Sequence, residues 1–272
     1  MVAIGYTIAL IFSATKASPL ANRYAMFDLS IDVPIARLSL GRPEARNAIP
    51  LSGWAELADA AQEAAAKARV LILSGVPGGV FCAGADISDF DGFQADPAAR
   101  SRFREAIRHG LDTLRGLPIP TIALVEGACY GAGVALAMAC DIRIAGGDAQ
   151  FAITPAKLGI SYPQEDVHRL VSLVGPGQAA RLLLSAGSID GGAAQRIGLT
   201  ELYVEMGATG EATRLALAIA ANDPDSLEVL KKAIGLASAG IRRDEGLDRA
   251  FEDLLGSDAL AERLRTYRGR PR

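Results

Sequence analysis

Apolar residues recur along this chain in two alternating rhythms. Trp54, Leu57, Ala61 and Ala64 stand at helical spacing within residues 51–66, and Arg69-Val70-Leu71-Ile72-Leu73 then reads as a buried strand. The same alternation repeats, with a helix predicted over 100–114, a strand over 121–125, a helix over 131–140 and a strand over 142–145. Aliphatic strands interleaved with helices predict a parallel sheet with helical crossovers, an α/β architecture. Upstream, residues 27–30 and 36–40 alternate around Asp32-Val33-Pro34, the pattern of a hairpin at a domain edge. Past Gly175 the rhythm is helical with few strands: 178–186, 211–221, 225–235 and 245–267. This divides the chain into an extension over 1–25 outside the fold, a core over 26–200 begun by Met26, and a helical region over 201–272.

Composition narrows the partners. With 272 residues and half of them hydrophobic, the chain can bury a large core, and disorder is excluded. Lys and Arg number 28 against 31 Asp and Glu, a net charge of −3, so no global field draws it onto nucleic acid or anionic lipid. The apolar run over 6–12 lacks a preceding Lys or Arg, is too short to span a bilayer and is followed by Lys16. We therefore expect a cytoplasmic protein, neither secreted nor anchored in a membrane. Cys82, Cys129 and Cys140 have no metal-ligand spacing, and two histidines, His109 and His168, cannot build a His-rich centre. No metal or separate cofactor is expected.

The predicted helix over 100–114 sets Arg100, Arg104 and Arg108 on one face and Phe103, Ile107, Leu111 and Leu114 on another. That reads as a solvated basic face over an apolar one, with His109 given no catalytic role. It is also the one candidate stripe for RNA. The segment 263–272 concentrates five arginines and is either a solvated terminus or a contact for a phosphate-bearing ligand.

Two segments share a design of strand, small residues and helix start. One runs Gly79-Val80-Phe81-Cys82-Ala83-Gly84-Ala85-Asp86-Ile87, the other Glu126-Gly127-Ala128-Cys129-Tyr130-Gly131-Ala132-Gly133-Val134-Ala135-Leu136. Glycine and alanine let a ligand approach the main chain, and the N–H groups that open a helix are unpaired. If the loops converge, two N–H donors meet at one oxygen, the geometry of an oxyanion hole. Neither loop fits a dinucleotide or nucleotide-phosphate fingerprint.

These loops, together with Arg42-Pro43-Glu44-Ala45-Arg46-Asn47-Ala48 and the run from Gly127 to Asp141-Ile142, resemble the enoyl-CoA hydratase/isomerase (crotonase) superfamily in order and spacing. The resemblance implies a spiral of ββα units, a helical C-terminal region that builds trimers or hexamers, and a CoA thioester as substrate. It puts the oxyanion donors on the N–H groups of Ala85 and Ala132. It also assigns substrate binding to Arg46, Ala83, Gly84, Asp86, Ile87, Gly131 and Gly133, with Arg46 a candidate phosphate contact. Asp86 and Asp141 read as local caps. Residues 88–99 are expected to shape the acyl pocket.

The two glutamates that hydratases of this family use fall here on Ala135 and Pro155, neither of which moves a proton. What stands nearby is Gly159-Ile160-Ser161-Tyr162-Pro163-Gln164-Glu165-Asp166-Val167-His168. Tyr162 resembles the active-site tyrosine of the methylmalonyl-CoA decarboxylase branch, and losing carbon dioxide forms an enolate without a general base. We therefore rank decarboxylase-like chemistry first, with Tyr162 orienting a carboxylate or relaying a proton, against its alternative as a packing residue. Glu165 and Asp166, in the first turn of a helix predicted to reach Leu173, either cap that helix or serve as relocated acid/base groups of a hydratase or isomerase. His168 is expected to pair within the helix. A third reading is a CoA-thioester-binding protein without catalysis.

Overall fold

The computed structural model describes residues 24–76 and 78–268. Most of the extension read over 1–25, and the last arginines of the 263–272 segment, lie outside the described residues. Tyr24 is already packed in the core, and the Met26 N–H donates to Glu56 at 2.9 Å.

Strands β1 (Phe27–Asp32) and β2 (Ile35–Leu40) form the hairpin, pairing Phe27 with Leu40 and Asp32 with Ile35 across Val33-Pro34. Helix α1 (Gly53–Lys67) crosses to β3 (Val70–Ser74), α2 (Pro97–Arg115) to β4 (Thr121–Val125), and α3 (Ala132–Ala139) follows β5 (Ala128–Tyr130) before β6 (Ile142–Gly146). Next come β7 (Gln150–Ala152), α4 (Gln164–Ser185), β8 (Ser188–Asp190), α5 (Gly191–Arg196) and β9 (Leu202–Val204). Four helices close the described chain: α6 (Ala208–Ala220), α7 (Pro224–Ser238), α8 (Glu245–Leu255) and α9 (Asp258–Arg268). The main sheet runs β1-β2-β3-β4-β6-β9, parallel except at the hairpin, and a smaller sheet runs β5-β7-β8. The arrangement is the expected α/β one of β-α units with a helical C-terminal region.

Both faces of the main sheet are covered, which is why its strands read as aliphatic throughout. Leu71, Leu73, Ala123 and Val125 point into the larger core with Trp54 and Leu57 of α1 and Leu111 and Leu114 of α2. Their neighbours Val70, Ile72, Ile122 and Leu124 face the other way, against Ala208, Ala212, Ala216 and Ala220 of α6. Four alanines at every fourth position give that helix a flat face, so it lies close on the sheet.

Several expectations are corrected. The sheet passes residue 200, because β9 pairs with β6. The helix predicted over 245–267 is two, since Gly256 closes α8 and the Ser257 hydroxyl accepts the Leu260 N–H at 3.1 Å to start α9. Strands β5, β7 and β8 escaped prediction: at three residues each, they are too short to show a period. Helix α4 breaks at Gly175 (φ 74°), so its first segment ends where the periodicity predicted. Within the single chain α7 and α8 bury no residue and expose Leu230, Ile234, Phe251 and Leu255. No helix of the described residues is long and apolar enough to cross a membrane.

Candidate active site

The two glycine-rich loops are zipped together by main-chain bonds. The Cys82 N–H donates to Ala128 O at 3.0 Å, and the Tyr130 N–H returns to Cys82 O at 2.8 Å. On the far side of the first loop, the Ile49 N–H donates to Gly84 O at 2.8 Å and Ile49 O accepts the Asp86 N–H at 2.9 Å. This parallel bridge uses the groups flanking Ala85, so the Ala85 N–H faces the opposite side and makes no hydrogen bond among the described residues. Ala132 opens α3, where an N–H has no partner within the helix, and it too is unbonded among the described residues. Gly84 brings the two together: a Cβ built on it would lie 3.1 Å from Tyr130 O and 3.4 Å from Ala132 N. Its φ of 115° is also glycine territory.

Ala85 and Ala132 line a cavity of about 230 Å³, with Ala83, Gly84, Ile87 and Gly131 beside them. Ile107, Leu158 and Ile160 add apolar side chains to the wall. Phe90 and Phe103 join it, and with Phe93 they form a trio with ring centroids 5.3 Å apart, so part of the 88–99 segment does shape the pocket. Ala135 and Pro155 stand in the wall and supply no ionisable group.

The carboxylates in that wall, among the described residues, are Glu165 and Asp166. Asp166 is 1% exposed, and its Oδ1 takes both Arg108 Nη1 at 3.2 Å and Nη2 at 3.3 Å. Its Oδ2 accepts no hydrogen bond among the described residues. Glu165 is solvent-facing, with Oε2 3.9 Å from Arg108 Nη1. Burial pushes the Asp166 carboxyl above the usual carboxylate range, and the Arg108 guanidinium opposes the shift. Both carboxylates stand in the first turn of α4, as expected, where they meet the helix dipole, and neither accepts a main-chain N–H as a cap among the described residues; Pro163 sits at the N-cap position.

The solvated basic face of α2 holds for Arg100 and Arg104, which are exposed, and fails at Arg108. Arg104 and Arg108 line the cavity, and only 17% of the Arg108 side chain is exposed. The sequence held one signal for it: Arg108 directly follows the buried Ile107, at the margin of the apolar stripe. An arginine at that margin turns inward when a carboxylate on a neighbouring element faces it.

Of the other predicted residues, Tyr162 is in the wall and the rest lie outside it. The Tyr162 hydroxyl donates to Gly131 O at 3.1 Å, and burial pushes the phenol well above its ordinary value, so its proton is held on the main chain. Asp86 is the local cap expected, accepting the Ser88 N–H at 3.1 Å and hydroxyl at 2.7 Å while pairing with Arg42 at 3.1 Å. Asp141 accepts the Thr121 N–H and hydroxyl and pairs with Lys231, joining α7 to the sheet. Arg46 is exposed and outside the wall, while its carbonyl takes the Ala83 N–H at 3.0 Å. Gly133 is not in the wall either: it sits against Cys82, where an added Cβ would lie 2.6 Å from the carbonyl oxygen. His109 and His168 are exposed and away from the wall, and the His168 carbonyl accepts the Ser172 hydroxyl. The cysteines are buried and free, with burial pushing the Cys82 and Cys140 thiols up to about 12. No group of metal-ligating side chains occurs among the described residues.

Residues 31–256 match the enoyl-CoA hydratase/isomerase family. The chain is 32% identical over 208 residues to the mitochondrial methylglutaconyl-CoA hydratase of Mus musculus, covering 74% of this chain and 65% of that one. It is 29% identical over 252 residues to an enoyl-CoA isomerase/hydratase of Zymoseptoria tritici, covering 86% and 80%. Among solved structures, an enoyl-CoA hydratase/isomerase family protein of Hyphomonas neptunium superposes with a TM-score of 0.84 at 35% identity, over 89% of this chain and 94% of that one. These similarities overturn the decarboxylase-like reading, since the relatives and structures matched carry hydratase, isomerase or racemase names and the Tyr162 proton is spent on Gly131. They equally displace the reading of a protein without catalysis. This chain belongs to the enoyl-CoA hydratase/isomerase family and is an enzyme acting on acyl-CoA thioesters.

Proposed function

We propose that this enzyme hydrates or isomerises the double bond of an enoyl-CoA thioester, using Glu165 and Asp166 in place of carboxylates at Ala135 and Pro155. One observation carries the reading: the wall that presents the Ala85 and Ala132 N–H groups also holds these two carboxylates. The thioester oxygen sits between the two N–H groups and takes the charge of the enolate, each donor being worth about 3–4 kcal/mol in the transition state. Asp166, with Oδ1 tied to Arg108, keeps Oδ2 for the proton. In isomerisation it removes the α-proton and returns it at the γ-carbon. In hydration one carboxylate takes a proton from the water attacking the β-carbon, and the other protonates the α-carbon. Ala83, Gly84, Ile87 and Gly131 line the thioester's path, and Asp86, by holding Arg42 and Ser88, shapes the loop beside Arg46, which meets a CoA phosphate.

Mass spectrometry and ultraviolet absorbance, after incubation with crotonyl-CoA and a β,γ-unsaturated hexenoyl-CoA, test this directly. Gain of one water marks hydration; a rise in conjugated thioester absorbance at constant mass marks isomerisation. Neither change with any acyl chain length would refute the proposal. The same reading has the chain acting in the cytoplasm as a homotrimer or hexamer, supported by the apolar side chains that α7 and α8 leave uncovered. Sedimentation should give three or six times the chain mass, and a monomer at micromolar concentration rejects the assembly.

A further inference from the structure

We infer that Tyr162 is a positioning residue of the oxyanion hole, holding the Gly131–Ala132 peptide plane by donating its hydroxyl proton to Gly131 O. The inference rests on the reading of the Ala132 N–H as an oxyanion donor. The carbonyl that Tyr162 grips and the N–H that faces the cavity belong to one peptide unit, and in a trans peptide they point in opposite directions. Whatever fixes the oxygen therefore aims the hydrogen.

This plane needs fixing. Gly131 has φ 52° and ψ −118°, a conformation open to glycine alone, and with no Cβ it offers little resistance to rotation of the plane that follows it. Its own N–H is anchored on Ala152 O at 2.9 Å, in β7. On the other side its carbonyl accepts the Val134 N–H at 3.0 Å and the Tyr162 hydroxyl at 3.1 Å. The Val134 bond is a tight turn within the start of α3 and turns with it. Tyr162 comes from outside, buried just ahead of Pro163 at the entry of α4, and ties the plane to a second element. A hydrogen bond at the carbonyl also draws electrons from the amide and makes the opposite N–H a stronger donor. Burial keeps the phenol protonated, so the donor persists across the working pH range.

The segment 162–166 then carries two functions one turn apart: Tyr162 sets the electrophilic side of the site, and Glu165 and Asp166 supply the proton carriers. Any movement of the α4 entry shifts both together.

The test uses the full chain and hexanoyl-CoA labelled with ¹³C at the thioester carbonyl, whose stretching frequency falls when the oxygen is polarised. In the unmodified enzyme the bound carbonyl should absorb at lower frequency than in solution. Tyr162→Phe should lose a substantial part of that shift and lower kcat roughly tenfold, the effect of one hydrogen bond, with KM changed less than about threefold. A residue that merely packs would leave the carbonyl frequency untouched. If the unmodified enzyme shows no shift or does not bind the probe, the oxyanion-hole reading itself fails, and this inference with it. If the shift is present and Tyr162→Phe keeps it in full, only the role of Tyr162 is overturned. Should the phenylalanine variant not fold, 3-fluorotyrosine at position 162 keeps the ring and sharpens the donor: a larger shift supports the inference, and an unchanged one rejects it.

Discussion

Asp166→Asn should lower kcat by roughly 10²–10⁴-fold, the usual contribution of a positioned acid or base, while KM for the enoyl-CoA stays within a few-fold. The amide keeps the shape of the side chain and loses the proton-carrying oxygen. Glu165→Gln then separates the chemistries. A comparable loss means that both carboxylates act, as hydration requires; a loss of less than about threefold leaves Asp166 working alone, as isomerisation allows. The pH profile gives a second readout. Because burial raises the Asp166 carboxyl, the rate should climb with pH through a limb above the usual carboxylate range, and Asp166→Asn should remove that limb. Stability runs the other way. Between the ordinary carboxylate value and the raised one the folded chain holds a proton that the unfolded chain has released, so stability falls as pH rises through this window and levels off above it. Arg108, Arg169 and Glu165 also face the group, the arginines lowering the carboxyl and Glu165 raising it. Urea midpoints across the acid range should show the downward slope in the unmodified enzyme and lose it in Asp166→Asn. A full kcat in Asp166→Asn would remove Asp166 from the mechanism.

Gly84→Ala should be the most damaging single methyl in the site. At φ 115° an alanine is strained, which costs about 1–3 kcal/mol of stability. The new Cβ would also press on Tyr130 O at 3.1 Å and Ala132 N at 3.4 Å. The second loop must then yield, and the Ala132 N–H moves from the point it shares with Ala85. Loss of one oxyanion donor predicts a fall in kcat of about 10²–10³-fold. Gly240→Ala is the control: it has φ 78° and nothing within 4 Å of the added atom, far along the chain from the cavity. It should cost about 1–2 kcal/mol through backbone strain and leave kcat unchanged. Urea denaturation and initial rates on both variants separate strain from displacement, and a Gly84→Ala enzyme of full activity would show that the two loops need not touch as they do.

What the sequence by itself determined is what local pattern records. Val70-Leu71-Ile72-Leu73 and residues 121–125 are apolar at every position because both sheet faces are covered, so the buried parallel strands were legible within a residue or so. The small residues around Ala85 and Ala132 marked where main chain approaches ligand, and their order with the 42–48 loop identified the family. Asp86 was legible as a cap because its partner is two residues away. The reaction was another matter. Reading it needed the carboxylates of the pocket, and Asp166 acquires its place through Arg108, 58 residues away on another helix. Periodicity assigned that arginine to solvent, since a local pattern carries no information about the charge on a neighbouring element. The free Ala85 N–H likewise depends on Ile49 taking the bonds on either side of it, and the Tyr162 hydroxyl is engaged because the Gly131 carbonyl faces it. Those meetings are set by how the sheet and α4 stack around the second loop, so only the tertiary structure decided them.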